Sequence, residues 1–212
     1  MMTFAQLQAE TVRRLEETTT GVFWTASDIE DALNDGYAEI TDATEWNEIW
    51  QTIDLLGDRP WYDGRFVLGE NLLTLGPAYD ETSSRWLIPT RMAELDAADR
   101  RWERAVGSPQ RILTRGLWWL GFWPRIGSAT GTVKQYYTAL AAALSDDTDE
   151  PGFPETFHYG LVEYAVYDLT AQAGETQQAL EGWARYLGYE AGLADFMLGR
   201  LRDPRVQGHG PH

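Results

Sequence analysis

The chain has 212 residues, 33 of them acidic and 17 basic, and its net charge of −16 argues against a protein that binds nucleic acid through clustered lysine and arginine. It contains no cysteine, which excludes disulfides and cysteine-ligated metal sites. Neither a basic-then-apolar N-terminus nor an apolar run of about 20 residues is present, so the sequence predicts a soluble protein made in the cytoplasm.

The N-terminal part of the chain predicts two helices. Apolar side chains recur at helical spacing from about Phe4 to Glu17, where a threonine-rich run interrupts the pattern. A second helix is predicted from Ser27, because Glu30 three residues later completes the sequence pattern of a capping box. The apolar pattern then reaches Ile53, so this helix is expected either to continue or to restart after Thr44.

The middle of the chain predicts strands. From Leu55 the sequence becomes rich in glycine and proline, and short apolar runs alternate with polar residues. Strands are expected at 65–69, 71–76, 86–91, 112–123 and 132–137, with a short helix near 93–106. The last two strands are expected to form a hairpin. We therefore predict a small antiparallel β module at about residues 55–138.

The C-terminal third predicts a pair of helices. Pro154 fits the first turn of a helix, where its missing N–H costs nothing, and Glu155 adds favourable charge beside it. A turn at Gly174 leads into a last helix of residues 175–202, about 40 Å long at 1.5 Å per residue. The expected contacts join Phe157, Leu161, Tyr164 and Leu169 of the first helix to Leu180, Trp183 and Leu187 of the second.

Four glycines interrupt the last helix, namely Gly182, Gly188, Gly192 and Gly199. Each one costs helix stability, so the helix is expected either to bend or to pack closely against a neighbour at these positions. The tail that follows, residues 203–212, is expected to be disordered alone or ordered by a partner.

No motif in the sequence points to catalysis, a cofactor or a bound metal. The acidic cluster at 146–150 lacks the ligand spacing and central glycine of an EF-hand, so a solvated loop is favoured. His158 has no second ligand at helical spacing, which favours a packed or surface histidine. The glycine pairs at 64–69 and 127–131 lack the lysine of a phosphate-binding loop, and turns explain both better.

The aromatic content leaves alternatives open. The chain has 10 tryptophans, and aromatic residues beyond the needs of a core are typical of interfaces, although each single tryptophan is most often a core residue. Tryptophan platforms and abundant carboxylates are also compatible with a soluble carbohydrate-binding protein or hydrolytic enzyme. A monomeric helical scaffold is the third alternative.

Three segments, in chain order, resemble the head-to-tail adaptor (connector) proteins of tailed bacteriophages. The first is the predicted helix pair at 2–15 and 24–40. The second joins residues 95–102 to 107–113, and it resembles the family's short helix leading into a strand. The third is the acidic loop, proline-started helix, turn and second helix that begin at Asp146. Together they cover most of the chain.

This resemblance implies a structural protein of the virion neck, made in the host cytoplasm. It implies a ring that matches the twelvefold symmetry of the portal, contacts with the portal protein and with downstream tail or neck proteins, and a conduit through which DNA passes without specific binding. An enzyme activity, a cofactor or a membrane contact is not expected. The expected portal contacts are Arg200, Arg202, Pro204 and Arg205, and the expected channel-facing residues are Asp146, Asp147, Asp149 and Glu150.

The predicted fold class is α+β, mainly α. The N- and C-terminal helices are expected to form a helical bundle into which the small antiparallel β module is inserted. Residues 1–202 are expected to form a single adaptor domain and residues 203–212 a flexible C-terminal tail.

Overall fold

A computed structural model of the chain describes residues 1–16, 23–57, 59–69, 71–116, 118–127 and 130–202. Contacts divide the chain into two compact units. The helical unit is built from residues 1–47 and from residue 141 onward, and the sheet unit from residues 48–140.

The helices and strands follow one another in both units. The helices are α1 (Phe4–Arg14), α2 (Ala26–Thr44), α3 (Gly64–Leu68), α4 (Met92–Ala98), α5 (Tyr159–Gln172) and α6 (Thr176–Arg202). The strands are β1 (Glu48–Leu56), β2 (Trp61–Asp63), β3 (Leu72–Asp80), β4 (Arg85–Pro89), β5 (Arg111–Arg115), β6 (Trp119–Trp123) and β7 (Thr130–Ala139). Short 3-10 turns lie at Trp102–Arg104 and Glu155–Phe157.

Capping boxes start the first two helices. The Thr3 hydroxyl accepts a hydrogen bond from the Gln6 N–H, and the Gln6 side chain accepts one from the Thr3 N–H. Thr25 and Asp28 make the same exchange at the start of α2. The predicted box at Ser27 is therefore wrong by two residues, because Thr25 carries the same hydroxyl with a carboxylate three positions on.

Helix α2 ends well before Ile53. Glu45 adopts the left-handed conformation, with φ of 48°, and its N–H bonds to the carbonyl of Thr41. Strand β1 then begins at Glu48, and each of its nine residues pairs with one residue of β7. The expected helical continuation is wrong, since the isoleucine, tryptophan and threonine residues of this segment fit a pleated strand better.

The core of the helical unit lies between α1, α2, α5 and α6. Its buried apolar side chains include Phe4, Leu7, Ile29, Leu33, Ile40, Leu161, Val162, Ala165, Leu169, Tyr186 and Leu193. Helix α5 contributes the most continuous set, because residues 160–163 and 165–166 are all buried. The other three helices therefore pack around α5.

The predicted pair of C-terminal helices forms, with a turn at Gly174, whose φ is 82°. The predicted contact residues on α6 are partly wrong, because Leu180 and Leu187 are 60% and 41% exposed. Tyr186 and Leu193 fill the core instead. The predicted and the observed core positions differ by one residue, which is a rotation of about 100° around the helix axis. An apolar pattern that covers both sides of this angle does not show which side faces the core.

One buried carboxylate connects three helices of this unit. Glu163 of α5 is almost fully buried, and its two oxygens accept hydrogen bonds from Arg14 of α1 at 3.1 and 3.2 Å. Arg185 of α6 adds a third contact at 3.3 Å. Both arginines are partly exposed, so they keep water on one side while they neutralise the buried charge.

The sheet unit contains a seven-stranded sheet in the order β1-β7-β3-β4-β5-β6-β2. Neighbouring strands are antiparallel except β4 and β5, which run parallel. A parallel pair needs a crossover connection, and residues 90–110 provide it with α4 and a 3-10 turn. The apolar core of this unit includes Ile53, Leu55, Tyr62, Ala78, Leu87, Ile112, Leu120, Phe122, Val133 and Tyr137.

The predicted fold class is therefore wrong. A helical bundle with a small antiparallel module was expected, whereas the sheet is mixed and forms a compact unit of its own. The expected hairpin of the last two strands is also wrong, because residues 112–123 divide into β5 and β6, which pair with each other, whereas β7 pairs with β1 and β3. The parallel pair arises from strands separated by about 20 residues of connection. The predicted flexible tail, residues 203–212, lies outside the described residues.

Two glycines of α6 provide a matched test of close helix packing. A Cβ added at Gly182 would lie 3.1 Å from the carbonyl oxygen of Glu163 and from the backbone nitrogen of Tyr167, whereas nothing lies within 4 Å at Gly188. We expect Gly182→Ala to lower the thermal midpoint of unfolding because backbone atoms of α5 cannot move aside. Gly188→Ala should stabilise the unit by about 0.5–1 kcal/mol through helix propensity. Equal effects in thermal unfolding would contradict this account.

Candidate interaction surfaces

Large apolar side chains are exposed on both units. On the sheet unit they include Trp50, Leu56, Trp86, Ile88, Val106 and Trp119, and on the helical unit Phe23, Leu180, Leu187, Phe196 and Leu198. Single exposed apolar residues are ordinary on a protein surface, but grouped ones mark interaction sites. Two groups stand out by their geometry.

The first group lies on the outer face of the sheet, across strands β1, β7, β3 and β4. We call it the aromatic face and define it as Trp50, Tyr79, Trp86, Ile88, Lys134 and Tyr136. Strand β7 shows why these residues share a face, since its buried and less buried residues alternate from 131 to 139. The register between neighbouring strands then places other residues of the face beside Lys134 and Tyr136. Tyr136 pairs with Trp50, and Lys134 pairs with Tyr79, which in turn pairs with Trp86.

The rings of the aromatic face are in mutual contact. Tyr79 and Trp86 pack edge to face with their ring centroids 5.1 Å apart, and Trp86 lies 5.8 Å from Tyr136. The ammonium of Lys134 sits 4.1 Å from the centroid of the Trp50 ring, a favourable cation–π geometry. Even so, Trp50 and Trp86 remain 55% and 50% exposed. The face is therefore preorganised and uncovered.

The second group lies along α6. We call it the α6 stripe and define it as Leu180, Ala184, Leu187, Ala191, Ala194 and Leu198. Their spacing alternates between four and three residues, which is the repeat that aligns apolar side chains along one side of a helix. Leu180, Leu187 and Leu198 are 60%, 41% and 49% exposed. Because the core-facing side of α6 carries Tyr186 and Leu193, the stripe is a separate apolar surface.

The net charge of the chain is confined to one unit. The sheet unit contains eleven basic and eleven acidic residues, whereas the rest of the chain contains six basic and 22 acidic residues and so carries the whole −16. Seven of the ten tryptophans lie in the sheet unit. One unit is thus acidic, and the other is electrically balanced and rich in aromatic residues.

A cavity of about 210 Å³ in the sheet unit is lined by Trp61, Trp102, Trp123, Glu103 and Arg125, among others. The Trp102 indole donates to Asp96 at 2.7 Å, and the Trp123 indole donates to the Trp102 carbonyl at 2.9 Å. Glycoside hydrolysis uses two facing carboxylates, and the described lining supplies one. The cavity therefore gives no support to the hydrolase alternative.

The single described histidine packs inside the helical unit. His158 is fully buried, and its Nε2 lies 2.8 Å from the carbonyl oxygen of Phe153. Among the described residues, no group of three or more side chains is arranged to hold a metal ion. Nor does any described helix have the length and apolar character needed to cross a membrane.

One family model matches nearly the whole chain. It carries the description SU10 adaptor protein and covers residues 2–209. The chain belongs to the SU10 adaptor family. The match confirms the resemblance to phage head-to-tail adaptors that the sequence indicated. A search of curated proteins gave no match.

The structure places the predicted acidic loop of the adaptor against α1. The carbonyl oxygens of Asp149 and Asp147 accept hydrogen bonds from the N–H groups of Phe4 and Ala5 at 2.7 and 3.2 Å. These N–H groups have no partner inside the helix, so the loop caps α1. The side chains of Asp146, Asp147 and Glu150 are exposed.

Asp149 differs from the other three acidic residues of the loop. Its carboxylate accepts hydrogen bonds from the backbone N–H groups of Asp146 and Ser145, at 2.9 and 2.8 Å. These bonds lower the pKa of Asp149 below its usual value, because they favour the ionised form. The Asp149 side chain therefore stabilises the conformation of the loop.

The predicted portal contacts lie at the end of the chain. Arg200 is exposed near the end of α6, and Arg202 is the last residue of that helix. Pro204 and Arg205 lie outside the described residues. The described residues do not test whether the C-terminal residues contact the portal or whether the acidic loop faces a channel. Both of these assignments stay predictions.

Sequence reasoning missed both apolar surfaces of the adaptor. The aromatic face joins four strands, and its register is invisible in the sequence. The α6 stripe was detectable, since its alternating spacing is visible from Leu180 to Leu198. The expected contacts with α5 instead assigned Leu180 and Leu187 of this stripe to the core.

The Asp149 carboxylate gives a pH-dependent test. We expect Asp149→Asn to lower the thermal midpoint at pH 7, whereas Asp147→Asn, an exposed control on the same loop, should leave it unchanged. The folded pKa lies below the unfolded value of about 3.9, so the stabilisation is present above that pH and is lost as the pH falls through the folded pKa. As the pH is lowered from 7 to 2.5, the thermal midpoints of the two variants should converge. A pH-independent difference would contradict this explanation.

Proposed function

We propose that twelve copies of this adaptor form a ring beneath the portal vertex of a tailed phage, in the virion neck, and that the genome passes through the ring. Family membership supports the structural role. Downstream tail or neck proteins would bind the opposite side of the ring. Such a protein acts by binding its neighbours in a fixed arrangement, and the DNA passes through without specific recognition.

The confinement of the net charge to the helical unit carries this proposal. Interface cores are enriched in aromatic residues, and the sheet unit holds seven of the ten tryptophans while its acidic and basic residues balance. The helical unit, with all of the net −16, suits a surface that repels the phosphates of moving DNA. Such repulsion reaches about 8 Å at physiological salt and leaves a wide bore open.

A closed ring also constrains the contacts. Each copy must use two different surfaces, one for each neighbour, and the ring closes when the rotation per copy divides a full turn. The adaptor exposes two different apolar surfaces, the aromatic face and the α6 stripe. It therefore has the two-sided character that a ring requires.

We place the portal contact at the C-terminal end. Arg200, Arg202 and Arg205 concentrate positive charge at the end of the acidic part of the chain. Pro204 stops a helix from continuing, so the segment after it can follow the surface of a partner. Charge-assisted hydrogen bonds to portal carboxylates would offset the entropy lost when the segment becomes ordered.

A truncation tests the portal contact. Deletion of residues after Leu201 should leave the circular dichroism spectrum and the thermal midpoint unchanged while it weakens binding to the portal protein. A control that keeps the full length but carries Arg200→Gln, Arg202→Gln and Arg205→Gln separates charge from tail length. Unchanged affinity in both variants, measured by biolayer interferometry, would refute the C-terminal contact.

A second experiment tests the channel role of the acidic loop. Replacing Asp146, Asp147 and Glu150 with Asn or Gln should leave ring assembly intact and slow DNA ejection, most visibly at low salt where repulsion reaches furthest. Asp149 faces the channel in the same proposal, but it is kept because its carboxylate shapes the loop.

The competing explanation of the acidic charge is that it keeps the unassembled protein soluble and monomeric. On that explanation ejection is unchanged at every salt concentration, while the triple variant precipitates more readily. A ring in which the loop lies on the outer rim would also contradict the channel role.

A further inference from the structure

The adaptor exposes two apolar surfaces of different shape and different electrostatic setting. The aromatic face is a surface of contacting rings on a unit with no net charge, and the α6 stripe is one side of a helix on a unit of charge −16. A sheet face and an apolar helix stripe each gain stability when they are covered by another layer of secondary structure.

We infer that the α6 stripe of one copy docks on the aromatic face of the next copy. This inference rests on the proposed ring and names the surfaces that join its neighbours. It defines a head-to-tail contact, because the two surfaces lie on different units of the chain. When this contact is repeated around a ring, each copy binds one neighbour through its α6 stripe and the other neighbour through its aromatic face.

Charge favours this pairing over a contact between two α6 stripes. A stripe-to-stripe contact would bring together two helical units that each carry −16. Asp195 lies next to Ala194 of the stripe and would add to the repulsion, whereas Glu181 is paired with Arg185 at 3.3 Å. The aromatic face adds no excess charge, and it contains Lys134, the only lysine of the chain. An acidic helix is therefore better accepted by the sheet unit than by a second helical unit.

Shape favours the same pairing. The aromatic face spans four strands, and strands about 4.8 Å apart make it roughly 15 Å wide. At 1.5 Å per residue, that width corresponds to about ten residues of helix. Ten residues contain three or four positions of the α6 stripe, such as Leu180, Ala184 and Leu187. The small alanine side chains between the leucines let the helix approach the layer of rings closely.

The contact can be tested with one charged substitution on each surface. Leu187→Glu alters the α6 stripe, and Trp86→Glu alters the aromatic face. Leu187 and Trp86 are 41% and 50% exposed and lie outside the buried cores, so folding should persist, as circular dichroism can verify. Each variant should weaken self-association by about tenfold or more in sedimentation velocity, with or without the portal protein, because a central aromatic or leucine anchor is lost.

Two matched controls carry the same change of charge at exposed apolar sites outside both surfaces. Phe23→Glu lies on the helical unit and Val106→Glu on the sheet unit, and their side chains are 69% and 56% exposed. Both should assemble like the wild-type chain. If both controls fail as well, added negative charge alone blocks assembly, and the proposed contact is overturned.

A mixing experiment decides between head-to-tail and self-complementary contacts. A Leu187→Glu copy keeps its aromatic face and a Trp86→Glu copy keeps its α6 stripe, so an equimolar mixture should form a one-to-one pair that grows no further. A mixture that stays monomeric overturns the pairing.

The remaining outcomes separate this inference from the proposed function. Rings that form normally from both variants overturn the inference and leave the ring itself standing. A wild-type chain that never self-associates, alone or on the portal protein, overturns both.

Discussion

The close approach of α6 to α5 is the contact on which the helical unit depends. A Cβ on Gly160 would lie 2.8 Å from Tyr189, and one on Gly182 would meet the backbone of α5, so glycine lets the two helices come together at two levels. The approach fixes the rotation of α6 about its axis. Tyr186 and Leu193 then point into the core, and the α6 stripe is left outside. A packing constraint inside the unit thereby leaves an apolar surface exposed.

The Glu163 cluster depends on the same packing. Its carboxylate lies between Arg14 and Arg185, so it connects the first and last helices of the unit through the buried α5. A buried carboxylate without cationic partners would be strongly destabilising, whereas a pair of partly hydrated arginines offsets the cost of burial. The cluster ties α1 to helices that lie about 150 residues further along the chain.

The separation of net charge from aromatic surface gives the two units different surface chemistry. An acidic surface is suited to repulsion and solubility, whereas a neutral surface with contacting rings is suited to lasting contacts. Copies of a chain of net charge −16 repel one another least when they associate through a surface whose charges balance. The aromatic face supplies such a place, and its rings are held by contacts with one another and with Lys134 before any partner arrives.

The sequence by itself determined the two N-terminal and two C-terminal helices, the turn at Gly174 and the family, because these depend on local periodicity, on residues close in the chain and on the succession of such segments. Helix α3 was wrongly predicted as a strand at 65–69. The sequence did not determine the strand order. The parallel pair of β4 and β5 and the register that unites Trp50 with Tyr136 are set by contacts between distant segments. The side of α6 that faces the core was likewise decided by packing against α5, since two neighbouring apolar stripes compete for burial and the close contacts at Gly160 and Gly182 accompany the burial of one.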